Sequence, residues 1–237
     1  MTRETVTVVI PAFDAERFVA EAVATARAQV PLPAEIVIVD DGSSDATAAV
    51  AESVGARLLR QPHRGIGAAR NAGIRAARAG LVALLDVDDL WLPGKLAAQL
   101  AAFDEDPGLA GVFTGIRNQF MRPELEDRFQ AAAGVLPGVC ASTLLARRDV
   151  LLEAGGFNET TSRTDFIEWY ATAAASGARF RMLEGLYALR RIHGRNNSIR
   201  AAGATGEYVR LARQLIAQQR RAAAQAQDDR ARGVESD

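Results

Sequence analysis

Three carboxylates stand close together in the middle of the sequence, at Asp86, Asp88 and Asp89. They follow an apolar run from Leu81 to Leu85, which predicts a buried strand because it is short, branched-aliphatic and preceded by Gly80. Asp86 and Asp88 are two residues apart, so in extended backbone they project from the same side. Two hard oxygen ligands suit Mg²⁺ or Mn²⁺, which proteins usually hold through one or two carboxylates plus substrate phosphates. The alternative is a solvated acidic turn in which Asp89 caps the next helix.

Acidic residues also follow the first two predicted strands of the chain. The β-branched run from Val6 to Ile10 predicts the first strand, and the run from Glu35 to Val39 predicts the second. Asp14 lies just past the first run, and the pair Asp40 and Asp41 follows the second. Carboxylates gathered at one edge of a sheet repel one another unless a cation or a donor-rich ligand is present. The spacing therefore predicts a metal-assisted phosphate or nucleotide site at the carboxyl ends of these strands.

Strands and helices alternate along the first half of the sequence. Helical apolar spacing runs from Ala15 to Gln29, and a helix rich in alanine and arginine is predicted from Ala68 to Ala79. Such alternation predicts an α/β fold with a parallel sheet and helices on its faces, which binds ligands at the carboxyl ends of the strands. The second half predicts a long loop over residues 117–134 that could close over a ligand, a strand pair around Glu184-Gly185, and a final helix from Ala204 to about Arg232.

The composition is that of an ordinary globular protein, with 237 residues of which 49% are apolar and 24% charged. The net charge of −1 provides no basic field, so no nucleic-acid partner is expected. Cys140 is the only cysteine and is expected to be a small core residue. No run of about 18 apolar residues occurs, so no transmembrane segment is expected. The N-terminus lacks a signal-peptide pattern, and a cytoplasmic location is the expectation.

Four segments of the sequence occur in a characteristic order: Val8 to Asp14, Val37 to Asp45, Gly67 to Gly73 and Leu85 to Asp89. With these segments the chain resembles the family 2 glycosyltransferases over roughly residues 5–200. The resemblance implies the GT-A fold, a Rossmann-like, mostly parallel sheet flanked by helices. It also implies one catalytic domain over residues 1–203, with a nucleotide-sugar-binding half to about residue 115 and an acceptor half after it. Residues 204–237 would form a C-terminal helix and tail.

The resemblance implies roles for the residues at the matching positions. The nucleotide pocket would be lined by Pro11, Ala12 and Asp14, with Asp40 bonded to the base, Asp41 nearby, and Arg70 and Asn71 near the nucleotide and the acidic edge. Asp86 and Asp88 would hold the ribose and the metal-bound diphosphate, with Mn²⁺ or Mg²⁺ as the cation. Asp41 could instead cap the turn at Gly42, and Arg70 and Asn71 could be ordinary surface positions. Asp89 is expected to support the loop, because in extended backbone it points the other way.

The acceptor side is implied by the segment Gly155-Gly156-Phe157-Asn158-Glu159. In the family this segment leads to an acidic Glu-Asp pair that contains the catalytic base, and here the pair has become Thr164-Asp165. Asp165 is the expected base. Glu168 is the alternate, because residues i and i+3 of a helix can share a face. Both could also be solvated charges on the helix.

Two further side chains have a functional and a structural interpretation. His193 falls where such enzymes often place a ligand from the C-terminal loop, and its neutral imidazole could complete the metal shell or serve a structural role. Trp169 is either the floor of the acceptor site or part of the packing. Packing is the usual role of a single aromatic side chain.

These residues predict a metal-dependent, inverting transfer of a sugar from a nucleotide-diphosphate sugar to an acceptor hydroxyl. The acceptor is unspecified, and the final helix could pair with a second copy to form a homodimer. One alternative function is that of a nucleotidyltransferase. Such an enzyme requires a Gly-rich phosphate loop where this chain has Pro11 to Asp14. Another is a non-catalytic nucleotide-sugar-binding or scaffold protein, which the altered Thr164-Asp165 pair supports.

Overall fold

The computed structural model describes residues 5–129, 134–160, 164–194 and 196 of the chain. In these residues nine strands form one mixed sheet. The strands are β1 Val6–Ala12, β2 Glu35–Asp40, β3 Arg57–Arg60, β4 Leu81–Leu84, β5 Asp89–Trp91, β6 Gly111–Phe120, β7 Leu136–Gly138, β8 Leu145–Arg147 and β9 Phe180–Ile192. The helices are α1 Val19–Arg27, α2 Thr47–Ser53, α3 Ile66–Ala76, α4 Lys95–Glu105, α5 Pro123–Phe129, α6 Arg148–Glu153 and α7 Asp165–Ala175, and a 3₁₀ turn spans Ala141–Thr143.

The strand order β3-β2-β1-β4-β8-β6-β9-β5 brings the predicted site together, while β7 pairs with β6 outside this order. β1 lies between β2 and β4 and is parallel to both, so the loops after these three strands leave from the same edge. The second half adds β8 antiparallel to β4, and β6 antiparallel to β8. The acidic segments that are distant in sequence therefore meet at one end of the first half of the sheet.

Two hydrophobic layers cover the two faces of the sheet. Along β1 the side chains alternate, so Val8 and Ile10 pack into the cluster that contains α1 and α4, while Val9 packs into the cluster on the other face. That second cluster contains aromatic residues of α7, including Trp169, which is buried against Phe157. Of its two interpretations, the structure supports packing.

The second half differs from the sequence prediction in two places. Strand β6 continues to Phe120 and helix α5 follows, so the predicted loop over residues 117–134 contains regular structure. The outer part of β6 contains polar, partly exposed side chains. A prediction based on apolar runs therefore does not recognise it as a strand. The predicted strand pair around Gly185 is one strand, β9, whose register with β6 shifts beside this glycine. Gly185 has a φ of 103°, a value suited to such a bulge.

The predicted final helix, from Ala204 to about Arg232, lies outside the described residues. Within the residues that are described, no helix combines the length and apolar character that crossing a membrane requires.

Candidate active site

The loop after β1 is tied to the loop after β2. Asp14 adopts a left-handed backbone conformation, with a φ of 44°. Its Oδ1 accepts a hydrogen bond from the Ser44 backbone N–H at 2.8 Å, and its own N–H donates to Ser43 Oγ at 2.9 Å. Pro11 and Ala12 are buried directly before this turn. These bonds fix the edge at which the predicted nucleotide pocket would open.

Phe13 and His63 stack at this edge. Phe13 is 46% exposed, and its ring centroid lies 4.1 Å from that of His63. The His63 Nδ1 lies 2.9 Å from the carboxylate of Asp41, which holds the imidazole against the phenyl ring.

Asp40 and Asp41 are both buried but have different partners. Asp40 accepts hydrogen bonds from the Ser43 N–H and from Arg60 Nε, each at 3.0 Å. Asp40 therefore caps the turn at Gly42, a role that the sequence analysis considered for Asp41. The carboxylate of Asp41 instead reaches the backbone N–H groups of Arg64 and Gly65, at 2.9 and 2.8 Å. Asp41 thus organises the loop that leads into α3.

The segment Asp86–Asp89, called the acidic turn below, is not extended. The Asp89 N–H donates to the Asp86 carbonyl at 2.9 Å, and residues 87 and 88 form the turn between them. The prediction of extended backbone from Asp86 to Asp88 is therefore wrong. Their side chains are 29% and 26% exposed, and each has its own set of partners.

The fourth residue of the acidic turn lies inside the protein. Asp89 is buried, and its Oδ2 accepts a hydrogen bond of 2.5 Å from Ser142 Oγ. Burial raises the pKa of Asp89 well above its ordinary value, and the charges of Asp88 and Asp86 add to this effect. The Ser142 hydroxyl also accepts the Asp86 N–H at 3.1 Å, so it holds both ends of the turn. Asp89 supports the loop, as the sequence predicts.

Arg70 joins the acidic turn to α7. It is buried, with Nη2 at 2.7 Å from Asp86 Oδ1 and Nη1 at 2.5 Å from Asp165 Oδ2. The face of Phe157 lies 5.5 Å from its guanidinium carbon. The two carboxylates raise the pKa of Arg70 further although burial opposes this, so the guanidinium stays charged. Its Nε–H is buried and meets no acceptor among the described residues. A buried donor left unpaired costs about 1–3 kcal/mol.

Asn71 holds the glycine-rich segment against α3. Its Nδ2 donates to the Phe157 carbonyl and its Oδ1 accepts the Phe157 N–H, both at 2.8 Å. A Cβ added at Gly156 would lie 2.7 Å from Asn71 Oδ1, and one added at Gly67 would lie 2.3 Å from the Asn158 carbonyl oxygen. The close approach of α3 to this segment therefore requires glycine on both sides. Arg70 and Asn71 are both buried, so neither is an ordinary surface position.

Asp165 and Glu168 start the same helix but meet different groups. Only 4% of the Asp165 side chain is exposed, and it pairs with Arg70 as described. Glu168 accepts hydrogen bonds from Thr164 Oγ1 and, at 2.9 Å, from Asn158 Nδ2. These bonds lower the pKa of Glu168. Of the two carboxylates, Asp165 is the one linked to the acidic turn.

His193 lies within hydrogen-bonding distance of Asp88. Its Nε2 is 3.1 Å from Asp88 Oδ2, and Asn196 Nδ2 donates to the same oxygen at 3.0 Å. The His193 ring packs against that of Phe18, directly before α1, with ring centroids 4.9 Å apart. Phe18 also contacts the guanidinium of Arg191, whose Nε donates to the Asp88 carbonyl at 2.6 Å. The end of β9 is thereby fixed to both α1 and the acidic turn.

The donor groups at Asp88 and His193 fit a small divalent cation. Two neighbouring ligands of an octahedral ion with bonds of about 2.1 Å stand about 3 Å apart, close to the O···N distance between these side chains. Among the described residues, no group of three or more His, Cys, Asp or Glu side chains converges. Asp86 is engaged by Arg70 in place of a third ligand. Two protein ligands suit Mg²⁺ or Mn²⁺ when substrate phosphates and waters complete the shell.

Sequence reasoning missed Ser142 and Phe18. Ser142 lies in the 3₁₀ turn before β8, within an apolar stretch, so no local pattern links it to the acidic turn. Phe18 is one apolar position of the helix predicted from Ala15 to Gln29, and only the tertiary structure brings it to His193.

Comparisons with known proteins identify the family of the chain. The family model described as glycosyl transferase family 2 matches residues 7–184. The succinoglycan biosynthesis protein ExoU of Rhizobium meliloti is 32% identical over 203 residues, which cover 75% of this chain and 59% of that protein. The chondroitin synthase of Escherichia coli is 27% identical over 206 residues, covering 82% of this chain and 30% of that protein. The chain thus spans less than two thirds of the length of these two relatives.

Two solved structures share the fold at low sequence identity. Staphylococcus aureus TarS (residues 1–349), in complex with UDP-GlcNAc, superposes with a TM-score of 0.64 at 20% identity, over 80% of this chain and 59% of that chain. The mannosyltransferase PcManGT of Pyrobaculum calidifontis, in complex with GDP-Man and Mn²⁺, has a TM-score of 0.64 at 21% identity, over 83% and 59%. The predicted GT-A fold is therefore confirmed. Because the family model matches most of the length of this chain, the chain belongs to glycosyltransferase family 2.

Proposed function

We propose that this protein is a metal-dependent, inverting glycosyltransferase that moves a sugar from a nucleotide-diphosphate sugar to an acceptor hydroxyl. The observation that carries the proposal is the Arg70 guanidinium, which bonds Asp86 at 2.7 Å and Asp165 at 2.5 Å. One guanidinium therefore bridges Asp86, on the donor side, and Asp165, the expected base on the acceptor side. Direct displacement requires such closeness, because the acceptor oxygen must reach the sugar carbon while the diphosphate leaves.

The donor would lie at the carboxyl ends of β1, β2 and β4. Pro11, Ala12 and Asp14 would form one wall of that pocket. The buried Asp40 would lie nearby, with its carboxylate oriented by Arg60 and the Ser43 N–H. TarS and PcManGT, which share this fold, were solved with a UDP sugar and a GDP sugar respectively. Their ligands support a nucleotide-diphosphate sugar as the class of donor.

Asp88 and His193 would hold the cation, with Asp86 beside them. When bound, a divalent ion supplies positive charge that stabilises the diphosphate as the glycosidic bond breaks. Asn196 and Arg191 orient Asp88 through bonds to its side chain and its carbonyl. The pair suits Mn²⁺ or Mg²⁺, and PcManGT was solved with Mn²⁺.

Asp165 would take the proton from the acceptor hydroxyl. The acceptor oxygen then forms its bond to the sugar carbon, and the bond from that carbon to the diphosphate oxygen breaks with its electron pair leaving on the diphosphate. A single displacement of this kind inverts the configuration at the sugar carbon. Glu168 is the weaker candidate because its partners are Thr164 and Asn158, whereas Asp165 is linked to the acidic turn through Arg70.

The alternative is a nucleotide-sugar-binding protein without turnover. The observation that favours it is the burial of Asp165, whose side chain is 4% exposed and already paired with Arg70. Under this alternative the ion pair would be purely structural. The acceptor and a homodimer through the final helix stay predictions from the sequence.

The first test is thermal stabilisation by UDP, GDP, TDP and their sugars, each with and without Mn²⁺. A ligand at 100 times its dissociation constant stabilises the folded state by about 2.7 kcal/mol. We expect one nucleotide to stabilise the protein only with Mn²⁺, and Asp88→Ala to abolish the effect. Asp104→Ala, which removes an exposed carboxylate from the end of α4, is the matched control and should leave the stabilisation intact. No stabilisation by any nucleotide would overturn the donor site.

The second test measures nucleoside diphosphate release from the stabilising donor across a broad panel of acceptors. Release that depends on an acceptor and is lost in Asp165→Asn supports the transferase. Tight donor binding with no release under any condition, including hydrolysis by water, would favour the binding protein.

A further inference from the structure

The guanidinium of Arg70 binds one carboxylate oxygen of Asp86, beside the proposed cation site. Only 5% of the Arg70 side chain is exposed, whereas 29% of the Asp86 side chain is. Helix α3 thus supplies a positive charge to the acidic turn, in addition to that of Arg191 at the Asp88 carbonyl.

The surroundings of Arg70 let its guanidinium serve two carboxylates at once. Phe157 covers one face of the guanidinium, and Asn71 fixes Phe157 through two backbone bonds of 2.8 Å. Nη1 and Nη2 each bind one carboxylate, while the buried Nε–H meets no acceptor among the described residues. A purely structural arginine would be expected to satisfy this donor, because unpaired buried donors are rare. The hydrogen bonds of the guanidinium are therefore incomplete among the described residues.

We propose that Arg70 is a positioning residue that acts as an exchangeable counter-ion. It balances the charge of Asp86 while no donor is bound, shares Asp86 with the cation that accompanies the diphosphate, and holds Asp165 in place throughout. The inference depends on the proposed function, because it takes Asp86 as a cation-side carboxylate and Asp165 as the base. Its consequence is that donor arrival and the orientation of the base are coupled through one side chain.

The sign of the effect on cation affinity tests the proposal. Without the Arg70 charge, less positive charge would oppose the carboxylates of Asp86, Asp88 and Asp165 when a cation approaches. At the effective dielectric of a partly buried site, removing a positive charge a few ångströms away strengthens cation binding by at least about tenfold. Damage to the fold would weaken cation binding, so tighter binding cannot come from a merely structural role.

The experiment measures the dissociation constant of Mn²⁺ alone by electron paramagnetic resonance, which detects the free ion. Arg70→Met should bind Mn²⁺ at least about tenfold more tightly than the unaltered protein. Arg70→Lys keeps the charge and should stay within about threefold. Arg64→Met is the matched control, because Arg64 is exposed and pairs with Glu159 outside the acidic turn, and it should also stay within about threefold.

The outcomes separate this inference from the proposed function. If the unaltered protein binds Mn²⁺ and Arg70→Met binds it no more tightly, the counter-ion role is wrong and the cation site stands. If neither protein binds Mn²⁺, both are overturned. Should Arg70→Met fail to fold, Arg70→Gln removes the same charge while keeping an amide donor toward the two carboxylates, and the same gain in affinity is required of it.

Discussion

Replacing Lys95 with methionine should make the stability of the folded chain less dependent on pH. Lys95 is the only lysine of the sequence, and it is fully buried at the start of α4. Its Nζ donates to Gln99 Oε1 at 2.8 Å and lies 4.1 Å from the centre of the Trp91 ring. Burial lowers the pKa of this amine from 10.5 to about 7. A charged ammonium has few compensating partners at this position.

The magnitude follows from the difference between the two pKa values. Between pH 10.5 and about pH 7 the unfolded chain binds a proton on Lys95 that the folded chain does not. The free energy of unfolding therefore falls as the pH falls through this window, by roughly 5 kcal/mol in total, and levels off below pH 7. Methionine removes this dependence but also removes the hydrogen bond to Gln99, which costs about 1–3 kcal/mol.

Lys95→Met is thus expected to be more stable than the parent at pH 7, by about 2 kcal/mol, and no more stable at pH 10. Urea unfolding of both proteins between pH 7 and pH 10 measures the difference between their free energies of unfolding. The contributions of the other titrating groups cancel in this difference. A second assay uses the single lysine directly. Protein labelled with ¹³C-lysine gives one side-chain Cε signal, and its titration midpoint in the folded state should lie near pH 7.

A Cε midpoint near the ordinary pKa of lysine in the folded protein would refute the reasoning. So would a stability difference between the two proteins that stays constant from pH 7 to pH 10. Either result would mean that water or an unseen acceptor reaches the amine.

Two further substitutions test the contacts behind the site. Gly156→Ala should destabilise the protein by about 1–3 kcal/mol more than Gly155→Ala in urea unfolding, because both have positive φ but only the former would press on Asn71. Equal losses would contradict the packing of α3 on this segment. Ser142→Ala should cost about 1–3 kcal/mol and weaken the nucleotide stabilisation in Mn²⁺, since the hydroxyl holds the acidic turn, whereas the exposed Ser176→Ala should change neither.

The position of the site was predictable from sequence because it depends on topology. Parallel strands place their carboxyl ends at one edge, so Asp14, Asp40 and Asp86 could be placed together without knowing any side-chain contact. The detailed geometry was not predictable. Arg70 and Asp165 lie 95 positions apart, and nothing in either local pattern indicates that they form an ion pair.

Strand β5 and helix α7 show a second limit of prediction from sequence. Strand β5 has three residues and begins with a buried carboxylate, Asp89, so it contains no apolar run that could indicate a strand. Asp165 and Glu168 are close on α7, as their spacing predicts, yet the tertiary contacts give them separate partners. Spacing along a helix shows which residues can share a face. It does not show which groups of other elements will meet them.

The carboxylate of Asp41 has a consequence for how this sheet can hold a phosphate. It accepts the N–H groups of Arg64 and Gly65 directly before α3. The aligned peptide dipoles of a helix concentrate partial positive charge at this end, where many nucleotide-binding proteins seat a phosphate group. In this chain a carboxylate of its own already occupies that end, and a phosphate brought there would meet a like charge. Under the proposed function, a donor diphosphate would therefore depend on a bound cation and on arginine side chains for its positive charge, and its retention would be conditional on a divalent ion.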